Sequence, residues 1–275
     1  MTLDEVIKKC DLELVARQGT PEYVDGTSGS SNWSQRIALV KESTDNDLIP
    51  KNKFAGKIID DFLYLHNGIK IHKNSYYGYC MLRLLMENYG VHEPQEERAF
   101  YDVLPFIDKG SVMIELGSYW SFYSMWFNKE TNGKNILVEP DYKNMLFGQE
   151  NFKLNNMKGI FYNKFVHSYD DEKTITVNKI FELEKLDRVA ICHSDIQGYE
   201  FEMLLGCSNV LHKIDYFFIS THENNLHTKC VEFLKENNFQ ILCSANLDES
   251  YSYDGLIVAR NKKIEGPQEI IISKR

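Results

Sequence analysis

A chain of 275 residues, 43% hydrophobic and 26% charged, is long enough to bury a substantial core. Its formal charge of −9, with no compensating run of Lys and Arg, speaks against a nucleic-acid partner, whose phosphates demand basic patches. No apolar stretch approaches the ~20 residues of a membrane span. The opening MTLDEVIKKCDLELVARQG mixes acids and bases without the apolar centre of a signal peptide. A soluble, cytoplasmic protein is expected, and a homo-oligomer is compatible with this composition. The cysteines Cys10, Cys80, Cys192, Cys207, Cys230 and Cys243 form no CxxC pair and no zinc-like spacing with His. All six are expected to be reduced and mostly buried.

Residues 2 to 17 place Leu3, Val6, Ile7, Cys10 and Leu14 at helical spacing, with Thr2 and Glu5 as a capping box. TPEYVDGTSGSSNWS reads as a loop, and residues 36 to 61 are weakly patterned. FLYLHNGIKIH, residues 62 to 72, carries a hairpin signal with Asn67-Gly68 as a type I′ turn. An apolar helix ending at a Gly cap follows in YYGYCMLRLLMENYG, then an amphipathic one in PQEERAFYDVLPFIDKG.

From residue 112 the pattern changes. VMIEL, NILVE, IFYNKFV, RVAICHSD and YFFISTH are short apolar strands, with helices expected at 120–130, 141–156, 199–212 and 226–237. Such continuous apolar strands imply a sheet covered on both faces and mostly parallel. QILCSA and GLIVAR have no helix between them and suit an antiparallel carboxyl-terminal edge. The fold class is α/β, doubly wound and Rossmann-like, over residues 109–275. A mixed α+β region, residues 1–108, precedes it.

Ligands of such sheets bind at the carboxyl ends of the strands. The first strand delivers Glu115, Gly117 and Ser118 there, and the second delivers Glu139-Pro140-Asp141. The fourth ends in His193-Ser194-Asp195 and the fifth in Ser220-Thr221-His222-Glu223. Glu139, about twenty residues after the glycine, is placed to accept both ribose hydroxyls of an adenosine. A dinucleotide would need further glycines for its pyrophosphate, yet Ser118, Tyr119, Trp120 and Ser121 fill that turn. Glu115 would repel a pyrophosphate and attract an ammonium. The turn therefore suits S-adenosylmethionine better than a nicotinamide dinucleotide.

MIELGSYWSFYS, LVEPD, HSDIQGYEFEMLLG and FFISTH, in this order, resemble the FkbM-type family of S-adenosylmethionine-dependent methyltransferases. Asp195, Gly198, Glu200 and Gly206 match its Asp-x-x-Gly-x-Glu segment and the glycine that ends the next helix. The likeness covers residues 112 to about 260. It departs at the turn, where the family has Gly-Ala-Asn-x-Gly and this chain has Gly117-Ser118-Tyr119-Trp120-Ser121. The resemblance implies a class I methyltransferase sheet and O-methylation, with a sugar, a nucleotide-linked sugar or a related glycan or natural-product precursor as acceptor.

The expected cofactor contacts are Glu115, Gly117, Ser118, Tyr119, Glu139, Pro140 and Asp195. A hydroxyl acceptor needs a base or a metal. His222 is the expected catalytic base, with Asp195 as its orienter or as the base itself. A divalent cation on Asp195, helped by His222, Glu223 or Asp254, would serve the same end, although no spacing specifies a metal. His193 is expected to be structural, and His227 to lie at the surface. Glu200 and Glu202 are expected to face solvent or support the turn. Tyr119, Trp120, Phe122 and Tyr123 should be core or pocket wall. The acceptor is expected between the N-terminal region and the loop NLDESYSYDG, with Ser250, Tyr251, Tyr253 and Asp254. A nicotinamide-dependent oxidoreductase and a catalytically silent binding protein are the alternatives.

Overall fold

The computed structural model describes residues 1–17 and 33–275. Helix α1 (Leu3–Arg17) opens on the expected capping box: Glu5 Oε2 accepts from Thr2 N–H at 2.8 Å, and Thr2 Oγ1 from Glu5 N–H at 3.3 Å. Most of the expected Gly/Ser loop lies outside the described residues, but its Trp33 and Ser34 already begin helix α2 (Trp33–Glu42). A short helix α3 (Asp45–Leu48) follows. Strands β1 (Ile58–Ile59), β2 (Phe62–Tyr64) and β3 (Lys70–His72) form an antiparallel sheet. The β2–β3 turn differs from the expected type. Gly68 N–H bonds Leu65 O, Leu65 N–H bonds Ile69 O, and Gly68 takes φ +84°. This is a three-residue loop with glycine at the left-handed position, in place of a two-residue turn.

Helix α4 (Gly78–Glu87) buries Cys80, Met81, Leu82, Leu84 and Leu85, and helix α5 (Pro94–Val103) follows with proline in its first turn. Helix α1 packs against α4. Val6 and Cys10, one turn apart on the buried face of α1, bring Cys10 to a Cα separation of 4.7 Å from Cys80. The two are joined in a disulfide, which corrects the expectation of six reduced cysteines. Their pairing is made by helix packing across 70 residues of sequence, which no local spacing can announce. Cys192, Cys207, Cys230 and Cys243 are free and buried as expected.

The main sheet contains β4 (Val112–Leu116), β5 (Lys134–Val138), β6 (Ile160–Tyr162), β9 (Val189–Ser194), β10 (Ile214–Thr221), β11 (Phe239–Ala245) and β12 (Gly255–Asn261). Its order is β11-β12-β10-β9-β4-β5-β6. All neighbours pair in parallel except β12, which runs antiparallel to both β10 and β11. This is the doubly wound class I methyltransferase arrangement expected from the sequence. Helices α6 (Phe122–Thr131), α7 (Tyr142–Leu154) and α10 (Asn224–Glu236) match expected segments closely.

Three local readings change. IFYNKFV is broken after β6, because Asn163 turns away to donate from its amide to Glu139 O and Pro140 O at 2.9 and 2.8 Å. The chain then forms β7 (Phe165–Val166), paired with β8 (Thr174–Ile175) in a small separate sheet. Helix α8 (Val177–Glu184), capped by Thr176, was not anticipated. The helix expected over 199–212 is only α9 (Glu200–Leu205), followed by turns and a 3₁₀ segment.

One hydrophobic cluster runs from Val6, Trp33 and Leu84 through Phe100 and Phe122 to Phe218 and Val258. The N-terminal region therefore shares its core with one face of the sheet. A second cluster, including Ile114, Ile136, Met203 and Leu234, covers the other face. No helix among the described residues is long and apolar enough to cross a membrane. The disulfide gives a direct check. The denatured, unreduced chain should titrate four thiols, and six after reduction, which is the total number of cysteines.

Candidate functional site

The sheet changes winding direction between β4 and β9, and a cleft opens there at the carboxyl ends. Backbone packing builds its floor. Gly117 and Ser118 N–H both donate to Val138 O, at 2.8 and 3.0 Å, and Asp195 N–H donates to Leu116 O at 2.9 Å. Gly117 has φ +76°, and a Cβ there would overlap the carbonyl of Asp195. Glycine is required by the abutment of two strand ends, before any ligand is considered. Tyr119 (φ +38°) and Ser121 (φ +68°) are also left-handed. The family pattern puts Asn and Gly at these two positions, residues that tolerate this region. Here Tyr and Ser adopt it under strain, of order 1–3 kcal/mol each.

Glu139 holds the strained turn. Its Oε2 accepts from Tyr119 N–H at 3.0 Å and its Oε1 from Asp141 N–H at 2.8 Å. Burial raises its pKa, against the pull of those two amides. Glu115 is buried beside it and accepts from Ser124 N–H at 3.1 Å, satisfying a donor in the first turn of α6. Burial pushes its carboxyl up to about 7, with His193 opposing. A cleft of about 290 Å³ is lined by Glu115, Gly117, Ser118, Tyr119, Glu139, Pro140 and Asp195, so all seven expected cofactor residues are brought together.

His222 is absent from that lining. Its Nδ1 contacts Glu200 Oε1 at 2.8 Å, and its Nε2 lies 3.3 Å from Asp195 Oδ1 and 3.5 Å from Asp254 Oδ1. Gln197 Nε2, which donates to Asp195 Oδ1 at 3.0 Å, also lies 2.8 Å from His222 Nε2. Two forms of the ring compete here, since an amide N–H would favour a neutral nitrogen. Three carboxylates outweigh one neutral amide. Although burial opposes the charge, Asp195 and Glu200 push the His222 pKa up to about 11. These three carboxylate contacts favour the charged ring over the neutral base expected of His222. Burial would raise the Asp195 carboxyl, but His222 holds it below its ordinary value.

Other expectations shift too. Glu200 is fully buried, linking Gly198 N–H to His222. It supports the turn and does not face solvent. His227 is buried between Thr221 Oγ1 and Ser244 Oγ, each at 2.8 Å, and is no surface residue. Ser250 is buried against Ser252, and the Tyr251 hydroxyl donates to Lys274 O, so both hold the 246–255 loop in place. Among the described residues no group of three or more His, Cys, Asp and Glu is arranged to hold a metal ion.

The sequence reading expected the N-terminal region beside the acceptor but did not name the residues it adds to the lining: Tyr76, Tyr77, His92 and Glu93. Tyr76 stacks on Trp120 at 4.4 Å and 12°, and Trp120 on Phe122 at 5.3 Å and 14°. A signal was present in HEPQEE, which sets acids at the start of a helix whose other residues must be buried.

Residues 144–241 match the family model described as Methyltransferase FkbM domain. The matched stretch is narrower than the 112–260 read from sequence and holds Asp195 and His222, whereas Glu115, Gly117 and Glu139 precede it. No curated protein matches the chain. Similar solved structures include an rRNA methylase from Streptococcus thermophilus, 7% identical over 61% of this chain and 96% of that one, TM-score 0.47. A putative methyltransferase from Streptococcus mutans in complex with SAH is 10% identical over 60% and 97%, TM-score 0.46. TrmK from M. capricolum, in complex with SAH, is 12% identical over 59% and 67%, TM-score 0.42.

The contact of Gly117 with the Asp195 carbonyl yields a prediction about stability. Gly117→Ala should cost about 3 kcal/mol or more, because a buried backbone contact must open. The measurement is denaturant unfolding of parent and variant. A variant of unchanged midpoint would show that the strand ends can part freely.

Proposed function

We propose that the chain is an S-adenosylmethionine-dependent O-methyltransferase acting on a hydroxyl of a sugar, a nucleotide-linked sugar or a related glycan or natural-product precursor. One observation carries the choice of cofactor. The cleft lining includes Glu93, Glu115, Glu139 and Asp195 and no Lys or Arg. A sulfonium and an ammonium are attracted by such a surface, whereas the pyrophosphate of a nicotinamide dinucleotide is repelled.

The residues present fit the cofactor. A carboxylate has about four lone-pair sites, so Glu139 keeps two for ribose hydroxyls while holding Tyr119 and Asp141. Pro140, Phe165 and Val166 offer an apolar wall for the adenine. S-adenosylmethionine supplies an activated methyl group, and the chain has to align the acceptor oxygen with it and remove a proton. Residues 1–108 serve as the acceptor-side cover, since Tyr76, Tyr77 and Glu93 line the cleft. Asp195 accepts a hydrogen bond from a neighbouring hydroxyl of the acceptor and so orients it, and His222 fixes Asp195. The resemblance to FkbM-type enzymes supports the hydroxyl acceptor.

Thermal unfolding with S-adenosylhomocysteine or NAD tests the cofactor. S-adenosylhomocysteine at a hundred times its Kd should stabilise the fold by about 2.7 kcal/mol, and NAD should not. Stabilisation by NAD alone would favour the oxidoreductase, and by neither a silent binding protein. Glu139→Ala should weaken S-adenosylmethionine binding by about 1–3 kcal/mol in calorimetry, because two hydroxyls lose their acceptor. Unchanged affinity would remove Glu139 from the ribose.

A further inference from the structure

Three buried carboxylates follow His92, and each is held differently. Glu96 lies 2.8 Å from His193 Nε2 through Oε1, and its Oε2 accepts from Ser220 Oγ at 2.8 Å. Glu97 Oε1 accepts from the backbone N–H of His92 and Glu93, and its Oε2 lies 2.9 Å from His66 Nε2. The same Oε1 lies 2.7 Å from His92 Nδ1. Every oxygen of these two groups lies within 3.0 Å of a ring nitrogen, hydroxyl or backbone N–H, as a buried structural carboxylate needs. Glu93 differs. The Tyr123 hydroxyl donates to its Oε2 at 2.9 Å, and His92 Nε2 lies 3.3 Å from that same oxygen. No described residue engages Oε1, although Glu93 is only 8% exposed and lines the cleft.

We propose that Glu93 is the catalytic base, its Oε1 taking the proton of the acceptor hydroxyl during methyl transfer. This rests on the reading of the cleft as an O-methyltransferase site. The acceptor oxygen forms its bond to the methyl carbon while the carbon–sulfur bond breaks. The electron pair of that bond stays on sulfur as a neutral thioether, and the hydroxyl proton passes to Glu93. The cationic donor and the anionic carboxylate are both neutralised in the step, so no charge is stranded in the cleft.

The surroundings favour Glu93 over its neighbours. Burial pushes its carboxyl up to about 7, with His92 opposing and Glu96, Asp195 and Asp254 adding to the rise. A base of that strength is suited to working near neutral pH. Asp195 shares this part of the cleft, but His222 holds its carboxyl low, so it accepts hydrogen bonds better than protons. Behind Glu93 the row His92, Glu97 and His66 is almost wholly buried and fixes its position. His92, Glu96 and Glu97 face Glu93 from its own segment, Tyr123 from α6, Asp195 from the end of β9 and Asp254 from the β11–β12 loop.

The test uses the full chain with methyl-labelled S-adenosylmethionine and three probe acceptors: UDP-glucose, glucose 6-phosphate and cellobiose. On whichever probe the parent labels, Glu93→Gln should lower kcat by roughly 10²–10⁴ at saturating cofactor. In the parent, kcat/KM should fall as pH drops through about 7, since protonated Glu93 cannot accept a proton. Glu93→Gln should lack that limb. Tyr123→Phe, which removes a donor to the carboxylate, should move the limb to higher pH, and it serves if Glu93→Gln does not fold. Parent-like turnover with the limb intact in Glu93→Gln, or an unmoved limb in Tyr123→Phe, would overturn the assignment. A parent that binds the cofactor but labels no probe would overturn the hydroxyl-acceptor reading and the base with it. A parent that does not bind it would overturn the methyltransferase reading itself.

Discussion

The contact of Gly117 with the carbonyl of Asp195 is the constraint on which the rest of the site depends. Two parallel strands end side by side, and the chain leaves each in a different direction. Only a residue without Cβ lets the first turn back across the second. That crossing points Ser118 and Tyr119 toward β5, where Glu139 can accept the Tyr119 N–H. It also starts α6 beside Glu115, whose carboxylate meets the Ser124 N–H. The acids are thus not decorations on a finished cleft. Their hydrogen bonds hold a backbone that two left-handed non-glycine residues would otherwise strain open.

Electrostatics divides the cleft into two halves. Near Glu139 the acids are bound to backbone amides, whose positions hardly respond to what sits in the cleft. Near Asp195 and Glu93 they are bound to side chains that titrate: His222, His92 and Tyr123. Burying this many charges costs several kcal/mol per ion before pairing, and the histidine partners offset much of it. Apolar residues could fill such a core at less cost. Retaining charges here makes sense if they act on a bound molecule.

Much of the fold was legible because its signals are local. The Thr2–Glu5 box, the apolar strands and the single glycine each declare themselves within a few residues. The antiparallel β11–β12 pair was legible from the missing helix between the strands. What failed was whatever depends on packing between distant segments. Cys10 and Cys80 meet because two helices cross, and His227 is buried because β11 supplies Ser244. Glu93 was hidden for the same reason. A helix rich in acids reads as a solvated face until a partner surface covers it. His222 was placed at its strand end correctly and grouped with Asp195 and Asp254, but its contact with the buried Glu200 was not read from the sequence.

The shared core also limits how freely the two parts of the chain can vary. Phe100 of α5 packs against Tyr123, Trp126 and Phe218, so the helix that follows Glu93 is pinned to both α6 and β10. Aromatic contacts of this kind are rigid, and a small shift of α5 would move Glu93 relative to Asp195. The disulfide fixes α1 to α4, which lies just beyond Tyr76 and Tyr77 in the cleft wall. Tyr76 and Tyr77 border the cleft without belonging to α5, so the wall there can change while α5 stays in place. The carboxylate geometry stays fixed while the wall around it changes.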